Sequence, residues 1–146
     1  EMEMENNLNK KIDFEAIKKL RDAGIYTGVL MMPLLPFIND TKDNIDKIIN
    51  QAYKSRANFI YPMFGVTLRS NQRFYYYTKL RENFHNLVSK YQNLYGDKYV
   101  CNSPNYKYLH QYFDQKCSEL EITYKMEDII SEYKSRFETE QISFDL

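Results

Sequence analysis

Two cysteines, two histidines and a pair of arginines are the side chains with which this 146-residue sequence could do chemistry. Cys101 and Cys117 are separated by fifteen residues, a spacing that matches no common metal-binding motif. Cys117 lies on an apolar helical stripe and is expected to be buried, whereas Cys101 is expected in an accessible loop. His85 and His110 lie in helical stretches without a serine, cysteine or carboxylate at a telling spacing. Structural or surface roles are therefore predicted for all four residues.

Arg69 and Arg73 are the best candidates for contacts with phosphate groups. Guanidinium groups pair with phosphate oxygens through two hydrogen bonds, and Tyr76 lies in a run of three tyrosines that could stack on bases. Residues 67–107 carry seven basic and two acidic residues, a net charge of +5, whereas residues 108–146 carry four and nine, a net charge of −5. This asymmetry favours a phosphate-bearing partner such as nucleic acid. A solvated helix start explains the arginines slightly better, and helical spacing favours core packing for most of the tyrosines.

Composition and length limit the class of protein. A hydrophobic fraction of 43% is enough to bury the core of one domain. The longest apolar stretch, residues 29–38, holds two prolines and is shorter than the roughly 20 residues that cross a bilayer. Two cysteines are too few for a secreted disulfide scaffold. No membrane partner and a cytoplasmic location are therefore expected.

The elements that must position these side chains begin after a polar segment. Residues 1–11 have no periodic apolar pattern and predict a flexible leader. Asp13 is the expected N-cap of a helix over residues 14–23 that ends at Gly24. Residues 25–32 form a continuous apolar, β-rich run, which predicts a strand buried on both faces.

The next elements repeat the alternation of helix and strand. Pro33 and Pro36 require an extended loop, and capping residues at positions 39–41 precede a second helix over residues 42–56. Residues 59–64 are the next short apolar run. This order predicts two adjacent parallel strands joined by a helix in a right-handed crossover. A sheet of two such strands leaves a strand edge without a partner.

The remainder of the chain predicts only helices. A long helix, capped by Ser70 or Asn71 and broken near His85, is expected to end at Gly96. Ser103 and Pro104 are an expected N-cap and first-turn pair, and a last helix is expected over residues 126–137. The helix after Pro104 has a predicted buried stripe of Leu109, Tyr112 or Phe113, Cys117 and Leu120.

Four stretches of the chain together resemble one family. Residues 16–25 (AIKKLRDAGI), 33–40 (PLLPFIND), 63–69 (MFGVTLR) and 99–105 (YVCNSPN) resemble successive segments of the radical S-adenosylmethionine proteins of the spore photoproduct lyase and DNA repair photolyase group. The resemblance covers about residues 14–133, and the double-proline loop with its Asn-Asp pair is its most specific part.

The resemblance implies an α/β fold in which the chain is the C-terminal portion of a partial (β/α)6 TIM-like barrel. Residues 12–66 would be the last two βα units, with the fifth and sixth strands, and residues 67–146 would be an α-helical extension. Ligands of such barrels lie at the carboxyl ends of the strands. The residues that would border the adenosyl group of S-adenosylmethionine, or else pack the barrel core, are Met32, Pro33, Met63 and Phe64. Asn39 and Asp40 would either fix their loop or hydrogen-bond a ligand hydroxyl.

The resemblance also implies a [4Fe–4S] cluster held by a C-x3-C-x2-C loop after the first barrel strand. No segment of this chain matches that loop, and Cys101 and Cys117 cannot be assigned to it. Cluster, cofactor and catalysis are therefore expected in the parent protein and not in this chain alone. Phe37 and Arg56 stand where the family usually or often has glycine, and Phe37 would narrow the space beside its loop.

Three functions remain open at this point. The first is the C-terminal part of a radical S-adenosylmethionine enzyme, whose partner would be the upstream half of the barrel. The second is a non-catalytic module that binds nucleic acid through its basic middle third. The third is an interaction domain that recruits a protein through its open strand edge. In each case the isolated chain is expected to self-associate through the edge at residues 25–32 or to be unstable.

Overall fold

Two small sheets and six α-helices alternate along residues 14–136, the part of the chain that the computed structural model describes. The parallel sheet pairs β1 (Gly28–Met31) with β2 (Phe59–Pro62), and the antiparallel sheet pairs β3 (Gly65–Thr67) with β4 (Val100–Asn102). The helices are α1 (Phe14–Asp22), α2 (Lys42–Lys54), α3 (Ser70–Asn83), α4 (Val88–Tyr95), α5 (Tyr106–Glu119) and α6 (Met126–Ser135), with a 3-10 turn at His85–Leu87. The mixed α/β class is confirmed, and these residues form no closed barrel.

The predicted parallel pairing of two strands joined by a helix is confirmed, although β1, α2 and β2 are each shorter than the range predicted for them. Gly28 pairs with Phe59 and Met31 with Pro62 in a parallel register, and α2 connects the two strands. Thr41 provides the N-cap of α2, since its hydroxyl accepts the Asn44 N–H at 3.3 Å. Before β1, helix α1 ends at Asp22 and is followed by a turn at Gly24, whose φ of +78° suits a residue without a Cβ.

The strand β1 is buried on one face only, so the prediction of burial on both faces is wrong. Val29 and Met31 are each 2% exposed, whereas Leu30 between them is 61% exposed. The reason is that no element within residues 14–136 covers the Leu30 face.

The two edges of the parallel sheet also differ. The outer edge of β2 is bridged by Thr123, whose carbonyl accepts the Ile60 N–H at 2.9 Å, but β1 pairs with β2 alone among the described residues.

The segment after residue 67 is not entirely helical, which corrects a second prediction. The strands β3 and β4 are three residues each, too short to show an alternating pattern in the sequence. They approach closely at Gly65, where an added Cβ would lie 2.6 Å from the carbonyl oxygen of Cys101. The helix break near His85 and the end at Gly96 are confirmed.

Two helix starts differ from the predicted ones. Arg69, rather than Ser70 or Asn71, is the N-cap of α3, and no side chain caps that helix end. Asn105 is the N-cap of α5, two residues after Ser103, whose hydroxyl instead accepts the Asn105 N–H at 3.3 Å. The observed N-caps of α3 and α5 therefore lie one and two residues away from the N-caps predicted from the sequence.

Two buried clusters hold the fold together. The first joins α1, β1, α2 and β2 to helix α5, which contributes the predicted stripe with Phe113 rather than Tyr112 at its centre. The second joins α3 and α4 to the antiparallel sheet. Helix α5 therefore packs against the parallel unit, although it belongs to the predicted helical extension.

Several predictions fall on residues outside the described part of the chain. They are the flexible leader over residues 1–11, the cap at Asp13 and the end of the last helix at Phe137. Within residues 14–136, no helix combines the length and the apolar character needed to cross a membrane.

Candidate functional site

Three of the six predicted cofactor residues lie together at the carboxyl ends of β1 and β2. The Met63 N–H donates to the Met31 carbonyl at 3.1 Å, and the Met63 carbonyl accepts the Leu34 N–H at 3.0 Å. These two bonds place Met63 beside Met32 and Pro33, and Met32 remains 38% exposed. The exposed side chain of Met32 therefore lies at the carboxyl ends of the parallel strands, which is where open α/β sheets bind their ligands.

Phe64 belongs to the first buried cluster. It is 6% exposed, and its ring packs edge-on against Phe113 at a centroid distance of 5.9 Å. The ring of His110, one turn before Phe113 on α5, lies 5.5 Å from the Phe64 ring. Phe64 therefore packs the core, which was the alternative weighed for it.

Asn39 and Asp40 fix the proline-containing loop. The Asn39 side-chain oxygen accepts the Leu35 N–H at 2.5 Å, and its carbonyl accepts the Asn44 side-chain amide at 2.9 Å. Asp40 accepts the Ser103 hydroxyl at 2.5 Å, and Ser103 is only 1% exposed. Asp40 thereby ties this loop to the segment before α5, and both side chains have structural partners.

The guanidinium group of Arg73 makes hydrogen bonds and an ion pair within the chain. Its guanidinium donates to the carbonyls of Leu68, Asp97 and Lys98 at 3.2, 2.5 and 3.4 Å, and it pairs with the Asp97 carboxylate at 3.3 Å. The side chain is 21% exposed. These bonds hold the start of α3 against the loop before β4, so a phosphate would have to compete with four internal acceptors.

Arg69 and Tyr76, the other two predicted phosphate contacts, differ in their surroundings. Arg69 is exposed at the N-cap of α3. The Tyr76 hydroxyl donates to Tyr91 at 3.0 Å, and Tyr91 donates to the Pro36 carbonyl at 2.6 Å. Burial raises the pKa of Tyr76 to about 12. The structure therefore leaves only Arg69 of the three facing solvent.

The most exposed aromatic residues of the basic segment are Tyr75, which belongs to the predicted run of three tyrosines, and Phe74, which was not singled out from the sequence. Phe74 is 80% exposed and Tyr75 is 66% exposed in the second turn of α3, which follows the N-cap Arg69. Helical spacing gave no signal for the exposure of Phe74, because it lies three residues before Tyr77 and so falls on the same face of the helix. Adjacent exposed rings in a basic segment are the arrangement that stacks on unpaired bases.

Both cysteines are fully buried, so the prediction that Cys101 is accessible is wrong. Cys101 lies in β4 within the second cluster and Cys117 in α5 within the first, and each is 0% exposed. Burial raises the pKa of the Cys101 thiol and raises that of Cys117 to about 12. Thiols that stay protonated in two separate cores do not fit the ligand set of an iron–sulfur cluster.

A histidine–carboxylate pair was also missed. The Nδ1 atom of His110 lies 3.1 Å from Asp114 Oδ1, four residues further along α5. The i, i+4 spacing was the signal that could have found it, because such residues are neighbours on a helix face. Beyond this pair, residues 14–136 hold no group of three metal-binding side chains.

Comparison with known proteins yields a partial match. The chain is 30% identical over 79 residues to uncharacterized proteins of Mycobacterium bovis and of two strains of Mycobacterium tuberculosis. The match covers 54% of this chain but only 23% of each relative. The chain therefore corresponds to about a quarter of the length of the curated relatives it matches. No family model matches the chain, and no solved structure matches it.

Proposed function

We propose that this chain is the C-terminal part of a radical S-adenosylmethionine enzyme similar to the spore photoproduct lyase and DNA repair photolyase group. Its parallel unit would complete a partial (β/α)6 TIM-like barrel whose other strands are supplied by an upstream half. The observation that carries the proposal is β1, which has an open edge among the described residues and an apolar face with Leu30 61% exposed. A fourth barrel strand would pair with that edge, and the barrel interior would enclose that face. Such an enzyme would act in the cytoplasm.

The backbone at two unusual positions supports the resemblance. Phe37 and Arg56, which stand where the resembled family usually or often has glycine, have φ angles of 62° and 59°. This left-handed region costs a residue with a Cβ about 1 kcal/mol and costs glycine nothing. The Phe37 ring offsets this cost by packing 5.9 Å from Tyr91 and beneath the Lys90 ammonium. A family with glycine at both positions would have the same backbone there.

The proposal assigns different roles to the two halves of the enzyme. The adenosyl group of S-adenosylmethionine would lie against Met32, Pro33 and Met63 at the strand ends, while Asn39 and Asp40 hold the loop that borders it. The cluster would bind to three cysteines of the upstream half, since both thiols of this chain are buried. The C-terminal part would therefore shape the site and exclude water.

The reading frame upstream of Glu1 tests the proposal directly. We expect it to encode a C-x3-C-x2-C segment and four further barrel strands. The joined protein, purified without oxygen, should bind about four irons and cleave S-adenosylmethionine to 5′-deoxyadenosine when reduced. An upstream frame without these cysteines would exclude the proposal. The matched control is the joined protein with the three cysteines changed to alanine, which should bind no cluster.

A second candidate function is single-stranded nucleic-acid binding by the middle third, favoured by the exposed rings of Phe74 and Tyr75. Stacking on these rings would be worth about 1–3 kcal/mol per base. Replacement of both by alanine should weaken oligonucleotide binding at least ten-fold. Replacement of Tyr53, which is 53% exposed on α2, should have no effect. Binding that does not weaken with added salt would contradict this candidate.

A further inference from the structure

A cleft of about 350 Å3 opens between the end of β2, helix α5 and the start of α6. Its walls include the rings of Tyr61, Phe113 and Tyr124. Its polar lining residues are His110 and Asp114 of α5, Lys125 before α6 and Glu127 in the first turn of α6. All of the lining residues lie within the described part of the chain, so binding can be tested with this chain alone. Tyr61 pairs with Leu30 in the sheet, and its side chain lies on the face that the proposed barrel would enclose.

One carboxylate oxygen in this cleft lacks a donor. The Oδ1 atom of Asp114 is itself buried and has no hydrogen-bond partner among residues 14–136, whereas the side chain as a whole is 38% exposed. His110 Nδ1 lies 3.1 Å from it, but not in hydrogen-bonding geometry. Buried carboxylate oxygens are almost always hydrogen-bonded, because an unpaired one loses its hydration without compensation. A donor that entered the cleft would supply the missing bond.

The charges around the cleft favour a cation. The cleft holds the carboxylates of Asp114 and Glu127, the ammonium of Lys125 and the imidazole of His110 beside Asp114. Glu127 is exposed and makes no hydrogen bond or ion pair within residues 14–136. The Lys125 ammonium lies 5.9 Å from the centroid of the Tyr124 ring and pairs with neither carboxylate. The tyrosine rings add to this preference, because their faces attract cations.

We propose that this cleft binds a small organic amine in its protonated form, with an apolar or aromatic portion. The ammonium group donates to Asp114 Oδ1, and the apolar portion packs between the rings of Tyr61 and Tyr124. The cleft volume lies within the range of small-molecule sites, and its combination of apolar walls with a few polar groups is typical of them.

Matched ligands test the charge of the occupant. Phenethylamine and phenethyl alcohol have the same shape and differ in the ammonium group. In titrations of the full chain followed by amide NMR signals, the amine should shift signals of α5 and of the start of α6 and bind at least ten-fold more tightly than the alcohol. Equal affinities of the two compounds would overturn the proposal.

Matched variants test the residue. Asp114→Asn keeps the shape of the side chain and removes its charge, so it should weaken amine binding roughly ten-fold and leave alcohol binding unchanged. Glu119→Gln changes an exposed carboxylate on the same helix and should have no effect. Unchanged amine binding by a folded Asp114→Asn protein would overturn the proposal.

A second variant covers the case in which Asp114→Asn unfolds the chain. Glu127→Gln alters an exposed residue in the first turn of α6 and should weaken amine binding about two- to five-fold. If it has no effect and the amine binds no better than the alcohol, the cleft has no preference for a cation.

Discussion

Gly65 is the residue at which the backbone of β3 comes closest to that of β4. A Cβ at this position would lie 2.6 Å from the Cys101 carbonyl oxygen and 2.8 Å from Asn102 Cα, and both are backbone atoms that cannot rotate away. We expect Gly65→Ala to lower the free energy of unfolding by about 3 kcal/mol, because the two strands must separate. Urea unfolding followed by circular dichroism measures this change.

Gly24 provides the matched control for that substitution. Its φ is +78°, but an added Cβ would meet no atom within 4 Å. Gly24→Ala should therefore cost only the left-handed backbone energy, about 1 kcal/mol. Equal costs for the two substitutions would show that β3 and β4 are not held as closely as the structure indicates.

Single residues also show where sequence reasoning reached its limit. The burial of Cys117 followed from its place on a helical stripe, whereas Cys101 looked accessible because a three-residue strand leaves no periodic signal. Arg73 looked like a phosphate contact, but its four acceptors are carbonyls and a carboxylate of the chain itself. The burial of Cys101 and the hydrogen bonds of Arg73 depend on residues that are distant in the sequence. A single sequence does not show which distant residues come into contact.

A chain of hydrogen bonds between tyrosines links three elements of the second cluster. Tyr76 of α3 donates to Tyr91 of α4, which donates to the Pro36 carbonyl in the loop after β1. Burial raises the pKa of Tyr76 from 10.0 to about 12 and raises that of Tyr91 as well. Both rings are therefore protonated in the folded protein at any pH at which the unfolded chain keeps its tyrosine protons.

These pKa values predict a loss of stability in alkali. Because the folded pKa lies above the unfolded one, the stabilising contribution is complete below pH 10 and is lost as the pH rises from 10 towards about 12. Each of the two tyrosines should lower the free energy of unfolding by about 1.4 kcal/mol per pH unit in that window. Urea midpoints measured across it, together with tyrosinate absorbance, report the effect.

Two phenylalanine variants separate the buried pair from the exposed tyrosines. Tyr91→Phe removes one ionisable group and should make the alkaline slope shallower, although it also lowers stability at neutral pH by about 1–3 kcal/mol through the unpaired Pro36 carbonyl. Tyr75→Phe, at a ring that is 66% exposed, should leave the slope unchanged. The pKa values of Tyr26, Tyr95 and Tyr112 are also raised by burial, so part of the slope should remain in Tyr91→Phe. A slope that does not change at all would assign the alkaline loss to those tyrosines.

Elements with long or strongly patterned sequences were predictable, and short ones were not. The order of α1, β1, α2 and β2 followed from apolar runs bounded by Gly24, Pro33 and Pro36. The sheet of β3 and β4 was missed because its strands are three residues long and pair residues 33 to 37 positions apart. The pairing of Thr123 with β2 was equally hidden, since it depends on where α5 ends.

At the scale of the whole molecule, the two edges of the parallel sheet differ in whether a neighbouring segment pairs with them. The edge of β2 is bridged by Thr123, whereas β1 has no second neighbour among residues 14–136. The exposed side chains around β1 are apolar: Ile25, Leu30 and Met32 are 48%, 61% and 38% exposed. An open edge beside an apolar face is the arrangement that pairs with another strand, from an upstream half of the barrel or from a second copy of the chain.

The 146-residue chain on its own is therefore expected to self-associate through β1. Light scattering across a dilution series should give a mass that falls towards the monomer as concentration falls, and the amides of β1 should exchange faster as the complex dissociates. Leu30→Lys places a charge on the exposed face and should shift association to at least ten-fold higher concentration, because burying a lysine there is costly. Leu94→Lys, at a residue that is 42% exposed on α4, should leave association unchanged. A monomer at every concentration with slowly exchanging β1 amides would mean that the edge is already covered within the chain, and that the parallel unit does not need the upstream half of a barrel.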